Sequence, residues 1–389
     1  MKRACLVALT SGLLAMVLPA PALTPPLPAD KDMLAAAGAN RGEMERALSQ
    51  VPDDRRSAME FLIANMPEPD LRSLKGDFLI ENVALACDAF ATAPWAKDIP
   101  QEIFLNEVLP YACLNERRDP WRKKLREISA PLIAACTTPG EAAQALNRKL
   151  FGTVKVRYST ARKRADQSPF ESMESGLATC SGLSILLVDA CRSVGIPARV
   201  VGTPMWANLR GNHTWVEIWD SGKWHFLGAA EPDPKGLDRG WFAGDAAKAR
   251  RDIPMHAIYA SSFKKTGVSF PLVWDPSVTW VQAVNVTDRY APAVQAAPDG
   301  RVRLLVRVLR AGKRVAAKVA VSDPSDAAVK FEGTSRDESA DLNNILCFNL
   351  PRGHTFRIVV EHQGETVGRD VTTTSGTEVE QMVNVLVGK

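Results

Sequence analysis

A cysteine sits in the run Ser175-Gly176-Leu177-Ala178-Thr179-Cys180-Ser181-Gly182, immediately ahead of apolar residues at helical spacing: Leu183, Leu186, Leu187, Ala190 and Val194. That spacing predicts an amphipathic helix starting at Cys180, ended by Gly195 with Pro197 beyond it. A thiol at a helix start meets backbone N–H groups without intrahelical acceptors and the positive end of the helix dipole, both of which favour thiolate, the nucleophilic form. The same N–H groups can cradle an oxyanion. Cys191 is different in kind. Eleven residues on, it lies roughly 16 Å along the helix, too far to bridge to Cys180, and its apolar neighbours mark it as core.

The partner such a thiol needs is a base. His213 opens His213-Thr214-Trp215-Val216-Glu217-Ile218-Trp219, a strand pattern after the loop residues Gly211 and Asn212. His225 is the competitor, further along the hairpin whose turn is Asp220-Ser221-Gly222. A third group should orient the imidazole. A three-residue turn would set His213 against about Ala229 and make Glu231 its same-face diagonal neighbour, roughly 7–8 Å away between backbones. A two-residue turn would put Glu231 on the other face and leave Asp233 instead. Glu231 is the expected third member.

The elements that must hold these groups fall into a mixed α+β pattern. Residues 1–22 read as a signal peptide, 23–150 as a helical region, 151–285 as the domain carrying Cys180 and His213, and 286–389 as a β-sandwich. The helical region shows three-and-four apolar spacing over Glu43 to Leu48, Arg55 to Asn65, Phe78 to Phe90 and Trp121 to Cys136. Its charged run Asn115 to Arg122 reads as a domain contact or solvated face. Toward the C-terminus Val302, Leu304, Val306 and Val308 alternate with polar and apolar neighbours, and Val315 to Val321, Phe356 to Glu361, Val371 to Thr374 and Met382 to Val387 repeat the theme.

Together, Gly-x-x-x-Cys-x-Gly at the helix start, Gly195-Ile196-Pro197-Ala198-Arg199-Val200-Val201-Gly202, His213-Thr214-Trp215-Val216-Glu217 and Gly222-Lys223-Trp224 resemble the transglutaminase-like superfamily. The resemblance spans about a third of the chain. It implies a papain-like core and a Cys-His-Asp triad, carried here by Cys180 and His213. The family's acid sits on the return strand where this chain has Gly228, so either Glu231 replaces it or the triad is incomplete. A side-chain oxyanion donor upstream of the cysteine is also implied, with Tyr158 a candidate. The implied activity is that of a thiol enzyme on amide bonds, through an acyl-thioester at Cys180. Hydrolysis, as in a peptidase or amidase, is expected ahead of transfer to an amine. The alternative is a catalytically degenerate member serving as a binding or scaffold module.

Bulk properties limit the rest. A net charge of +4 over 389 residues gives no basic stripe for a nucleic acid. Lys2 and Arg3, an apolar run from Ala4 to Leu18 and Ala20-Pro21-Ala22 predict a cleaved secretory leader, hence a secreted or periplasmic protein with no later membrane span. The expected partner is a protein or peptide substrate, such as a cell-envelope peptide. The cysteines left after cleavage show no C-x-x-C pair and no histidine at zinc spacing, so neither metal nor other cofactor is expected, although Cys87, Cys113 and Cys136 could bridge in an oxidising compartment.

Overall fold

The structure is a computed structural model describing residues 31–291, 300–376 and 380–388. The expected leader lies outside the described residues. Among these, no helix is long and apolar enough to cross a membrane.

The first layer is helical. Helices α1 (Arg41–Gln50), α2 (Arg56–Asn65) and α3 (Gly76–Ala91) bury Met44, Met59, Leu62, Leu79 and Val83 against one another. Their apolar stripes match the periodicity of the sequence. Helices α4 (Trp121–Ile133) and α5 (Pro139–Val154) behave differently. Leu125, Leu146 and Leu150 join the core formed by Ile185, Leu186, Val200 and Val216. The helical stretch expected over 23–150 is therefore split between two cores, because the inner faces of α4 and α5 are matched by the next helix and sheet rather than by α1–α3.

That next helix is α6 (Cys180–Ser193), with every residue from Ser181 to Ser193 buried. A helix buried on all sides belongs at the centre of a domain. Gly195 follows it at φ 77°, the left-handed conformation that stops a helix. Against α6 lies an antiparallel sheet of β1 (Ala198–Thr203), β2 (His213–Asp220), β3 (Lys223–Leu227), β4 (Tyr259–Ser262) and β5 (Gln282–Asn285), in the order β3-β2-β1-β4-β5. In the β1–β2 register Gly202 faces Thr214 and Thr203 faces His213. A Cβ at Gly202 would come within 2.9 Å of Thr214 and 3.0 Å of the His213 carbonyl, so the close approach requires glycine.

The β2–β3 turn has two residues, not three. Asp220 pairs with Lys223, leaving Ser221 (φ 51°) and Gly222 (φ 78°) at its tip. Two successive positive φ values give the twist that a tight hairpin needs.

The C-terminal region is the expected β-sandwich. One sheet runs β8-β7-β10-β11, from β7 (Lys318–Asp323), β8 (Asp326–Thr334), β10 (Thr355–His362) and β11 (Glu365–Thr372). The other runs β9-β6-β12, from β6 (Arg301–Arg310), β9 (Leu346–Pro351) and β12 (Glu380–Leu386). Leu304, Val306, Val319, Val321, Phe356 and Ile358 fill the space between them.

Candidate active site

Cys180 is the first residue of α6, half-buried and unpaired. The chain reaches it through a two-residue parallel ladder, in which Tyr158 pairs with Ala178. The side chain of Thr179 does not cap the helix; its hydroxyl instead accepts from Arg162 Nε at 3.3 Å. The first-turn N–H groups beside the sulfur are thus not claimed by that neighbour.

His213 begins β2, and a cross-tie fixes it relative to α6: the Thr214 hydroxyl donates to that of Ser181 at 3.2 Å. Each of these two residues follows one member of the Cys180–His213 pair. The imidazole is 2% exposed, with the Trp241 ring centroid 4.7 Å and the Phe242 ring centroid 5.1 Å away.

The carboxylate on His213 is Asp341, not Glu231. Asp341 Oδ2 lies 3.6 Å from His213 Nδ1, an ion-pair separation with both side chains almost fully buried. Donor atoms of Cys180, His213 and Asp341 all lie within 4.8 Å of one another. Asp341 belongs to the loop between β8 and β9 of the sandwich.

Glu231 takes a neighbouring place by a route that strand register does not describe. The β2–β3 ladder stops at Leu227, and a tight turn follows, with Ala230 at φ 62° and the Glu231 N–H donating to the Gly228 carbonyl at 3.2 Å. The turn swings the Glu231 carboxylate over Gly228, where Oε2 accepts from Trp241 Nε1 at 2.7 Å. Glu231 makes no ion pair with His213; the geometry that would have made it a diagonal neighbour required the longer turn and a longer strand. Asp233, the other candidate, accepts from the Lys235 N–H at 2.8 Å and serves its own loop. His225 pairs with Asp238 at 2.6 Å, away from the sulfur.

The electrostatics follow from this placement. Burial works against the His213 imidazolium, but Asp341 beside it, helped by Cys180, overrides that and raises its pKa. Burial likewise opposes the Asp341 carboxylate, and His213 outweighs it, holding Asp341 below its ordinary value. Glu231 goes the other way: burial raises its carboxyl to about 7, with His213 pulling it back and Asp341 pushing in the same direction as burial. Tyr158 is pushed well up by burial, with Asp341 next in importance, so the phenol remains protonated. Its oxygen accepts the Leu342 N–H at 3.1 Å, leaving its own proton for another acceptor.

Cys180, His213, Asp341, Glu231, Tyr158 and Trp241 share the wall of one cleft of about 730 Å³. Its size is that of a pocket able to take several residues of a peptide or a comparable small molecule. Trp206 and Trp215, by contrast, are core residues stacked 5.9 Å apart.

Comparison with known proteins bears on this arrangement. Residues 126–229 match the transglutaminase-like superfamily. This chain carries a transglutaminase-like domain. The matched segment of that domain begins within α4, in keeping with the shared core, and ends one residue after Gly228, well before Asp341. No curated protein matches the chain. Similar solved structures include a cysteine-protease candidate from Cytophaga hutchinsonii, 20% identical, TM-score 0.25, covering 42% of this chain and 52% of that one. Another is the transglutaminase of red sea bream, 9% identical, TM-score 0.34, covering 73% of this chain and 66% of that one. The chain thus spans about half the length of the first and just under two thirds of the second. The transglutaminase-like domain, with a helical layer before it and two sheets after it, belongs to a mixed helix-and-sheet protein of the expected class.

Proposed function

We propose that this protein is a thiol hydrolase of amide bonds, with Cys180 as nucleophile and His213 as its base. The observation that carries the reading is the clustering of the Cys180 sulfur, the His213 ring and a carboxylate within 4.8 Å of one another on the wall of an open cleft.

His213 takes the thiol proton, and the sulfur attacks the amide carbonyl, forming a C–S bond and an oxyanion. The N–H groups of the first turn of α6 and the Tyr158 hydroxyl are the donors available to that oxygen. The C–N bond then breaks as the imidazolium returns the proton to the leaving amine. Water, deprotonated by His213, cleaves the thioester, releasing the acid and restoring the thiol. An amine in place of water would give acyl transfer. Hydrolysis is preferred by analogy with exported members of the family. The substrate in this reading is a protein or peptide, such as one of the cell envelope, met after export.

A thiol-directed acyl probe tests the assignment. Wild type labels at one site and Cys180→Ala does not; equal labelling of the two would reject the enzyme in favour of a binding module. Incubating peptides with and without an added amine then separates the two reactions, and products found only as amine adducts would replace hydrolysis by transfer.

A further inference from the structure

We infer that the C-terminal sandwich is a working part of the active site: its β8–β9 loop delivers Asp341 to His213, so the imidazole is oriented only while the sandwich is docked. The inference rests on the Cys180–His213 reading and adds to it a residue from outside the transglutaminase-like segment.

The position on the return strand is closed to a carboxylate of its own. Gly228 has no side chain, and the volume a Cβ would enter is held by Glu231, whose Oε2 would lie 2.8 Å from it. Glu231 in turn is committed to Trp241. Asp341 reaches Nδ1 from the sandwich loop instead.

The loop is built to hold that carboxylate still. Asp341 Oδ1 accepts its own loop's Asn343 N–H at 2.9 Å, which leaves Oδ2 for His213. Buried Arg314 donates to the carbonyls of Ala340 at 2.7 Å and Asp341 at 3.0 Å, fixing the backbone from within the sandwich. From the other domain, Tyr158 accepts from Leu342 N–H, Asn343 Nδ2 donates to the Asn212 carbonyl at 3.1 Å, and Arg210 donates to the Asn343 carbonyl at 2.8 Å. Asn212 and Arg210 lie just upstream of His213, so the bonds that seat the loop also seat the histidine. Beyond the loop, Arg303 and Glu380, register partners on β6 and β12, engage Asp245, Asn208, Arg210 and Lys248 of the preceding domain. Multiple charges in a half-buried network hold two domains far better than an isolated surface pair.

Asp341 acts through His213 and is a positioning residue. Its test is the rate of Cys180 alkylation by iodoacetamide as a function of pH on the full chain, a readout that needs no amide substrate. Asp341→Asn, folded by circular dichroism, is expected to alkylate about tenfold or more slowly near neutrality, with an altered pH profile. Asp341→Glu is expected to regain part of the rate. Glu231→Gln, on the same cleft wall but without an ion pair to His213, is expected to slow alkylation less than Asp341→Asn. Arg303→Ala, which loosens the clasp, is expected to slow alkylation in the wild-type background and to add nothing in Asp341→Asn. A wild-type profile in Asp341→Asn, its transfer to Glu231→Gln, or full additivity with Arg303→Ala would each overturn the inference. Loss of amide turnover with Asp341-dependent alkylation intact would instead remove the proposed reaction and leave this arrangement standing.

Discussion

The carboxylate of Glu231 lies 2.8 Å from the point where a Cβ on Gly228 would stand. The two positions therefore compete for one volume, and the absence of a side chain at 228 is what admits Glu231. Gly228→Ala is expected to cost on the order of 1–3 kcal/mol, because the Glu231 Cβ, only 3.2 Å from the new atom, must move as well as its flexible tip. Combining it with Glu231→Ala should recover much of that loss, and denaturant titration of the two single variants and the double variant measures the coupling.

The base is expected to matter more for rate than for binding. His213→Gln, which keeps a polar side chain in the buried aromatic setting, should slow acylation of Cys180 by about 10²–10⁴-fold. Probe labelling followed by mass spectrometry reads it. A labelling rate equal to wild type would remove His213 as the base while leaving Cys180 as the nucleophile.

Stability should fall as pH rises through neutrality. The folded pKa of Glu231 is raised to about 7, above its unfolded value, so between those values the folded state binds the extra proton. Stability is then highest at the acid end of that window and declines as Glu231 ionises. His213, also raised by Asp341, contributes in the same direction at higher pH, and Glu107, raised to about 7 by burial despite Arg199 and Arg192, adds a parallel contribution. The groups acting on Glu231 besides burial are His213, Asp341, Trp241 and Arg336. Glu231→Gln should flatten part of the decline, on the order of 1–3 kcal/mol, in unfolding measured between about pH 5 and 8. An unchanged slope would contradict the raised carboxyl.

Arg122 should act on the fold alone. It is buried, its pKa lowered to about 9 by burial and by Arg192, and it donates to the backbone carbonyls of Val108, Leu109, Pro110 and Arg192. These contacts join the helical layer to the C-terminal end of α6. Arg122→Ala leaves several buried acceptors unpaired and is expected to destabilise by about 3–5 kcal/mol. The labelling rate of the folded fraction should be that of wild type, since α6 is anchored at its other end by the Thr214–Ser181 tie.

The sequence by itself determined the helix that starts at Cys180 and the strand that starts at His213. Cys180 is marked by an abrupt start of helical periodicity and His213 by the head of an alternating strand, and both signals are local, arising from side-chain pattern and turn chemistry. The helices from Arg41 to Ala91 and the sandwich strands were legible for the same reason. Tertiary structure alone decided the carboxylate. The length of the Asp220–Lys223 turn and the end of the ladder at Leu227 moved Glu231 off the expected diagonal, and a one-residue difference in a turn is enough to reverse a strand's faces. Asp341 lies in an aperiodic loop, in a domain with its own core, and next to it Leu342 meets Tyr158 across 184 residues of chain. Nothing in the local pattern points to such a contact, because its position is set by how two separately folded layers dock.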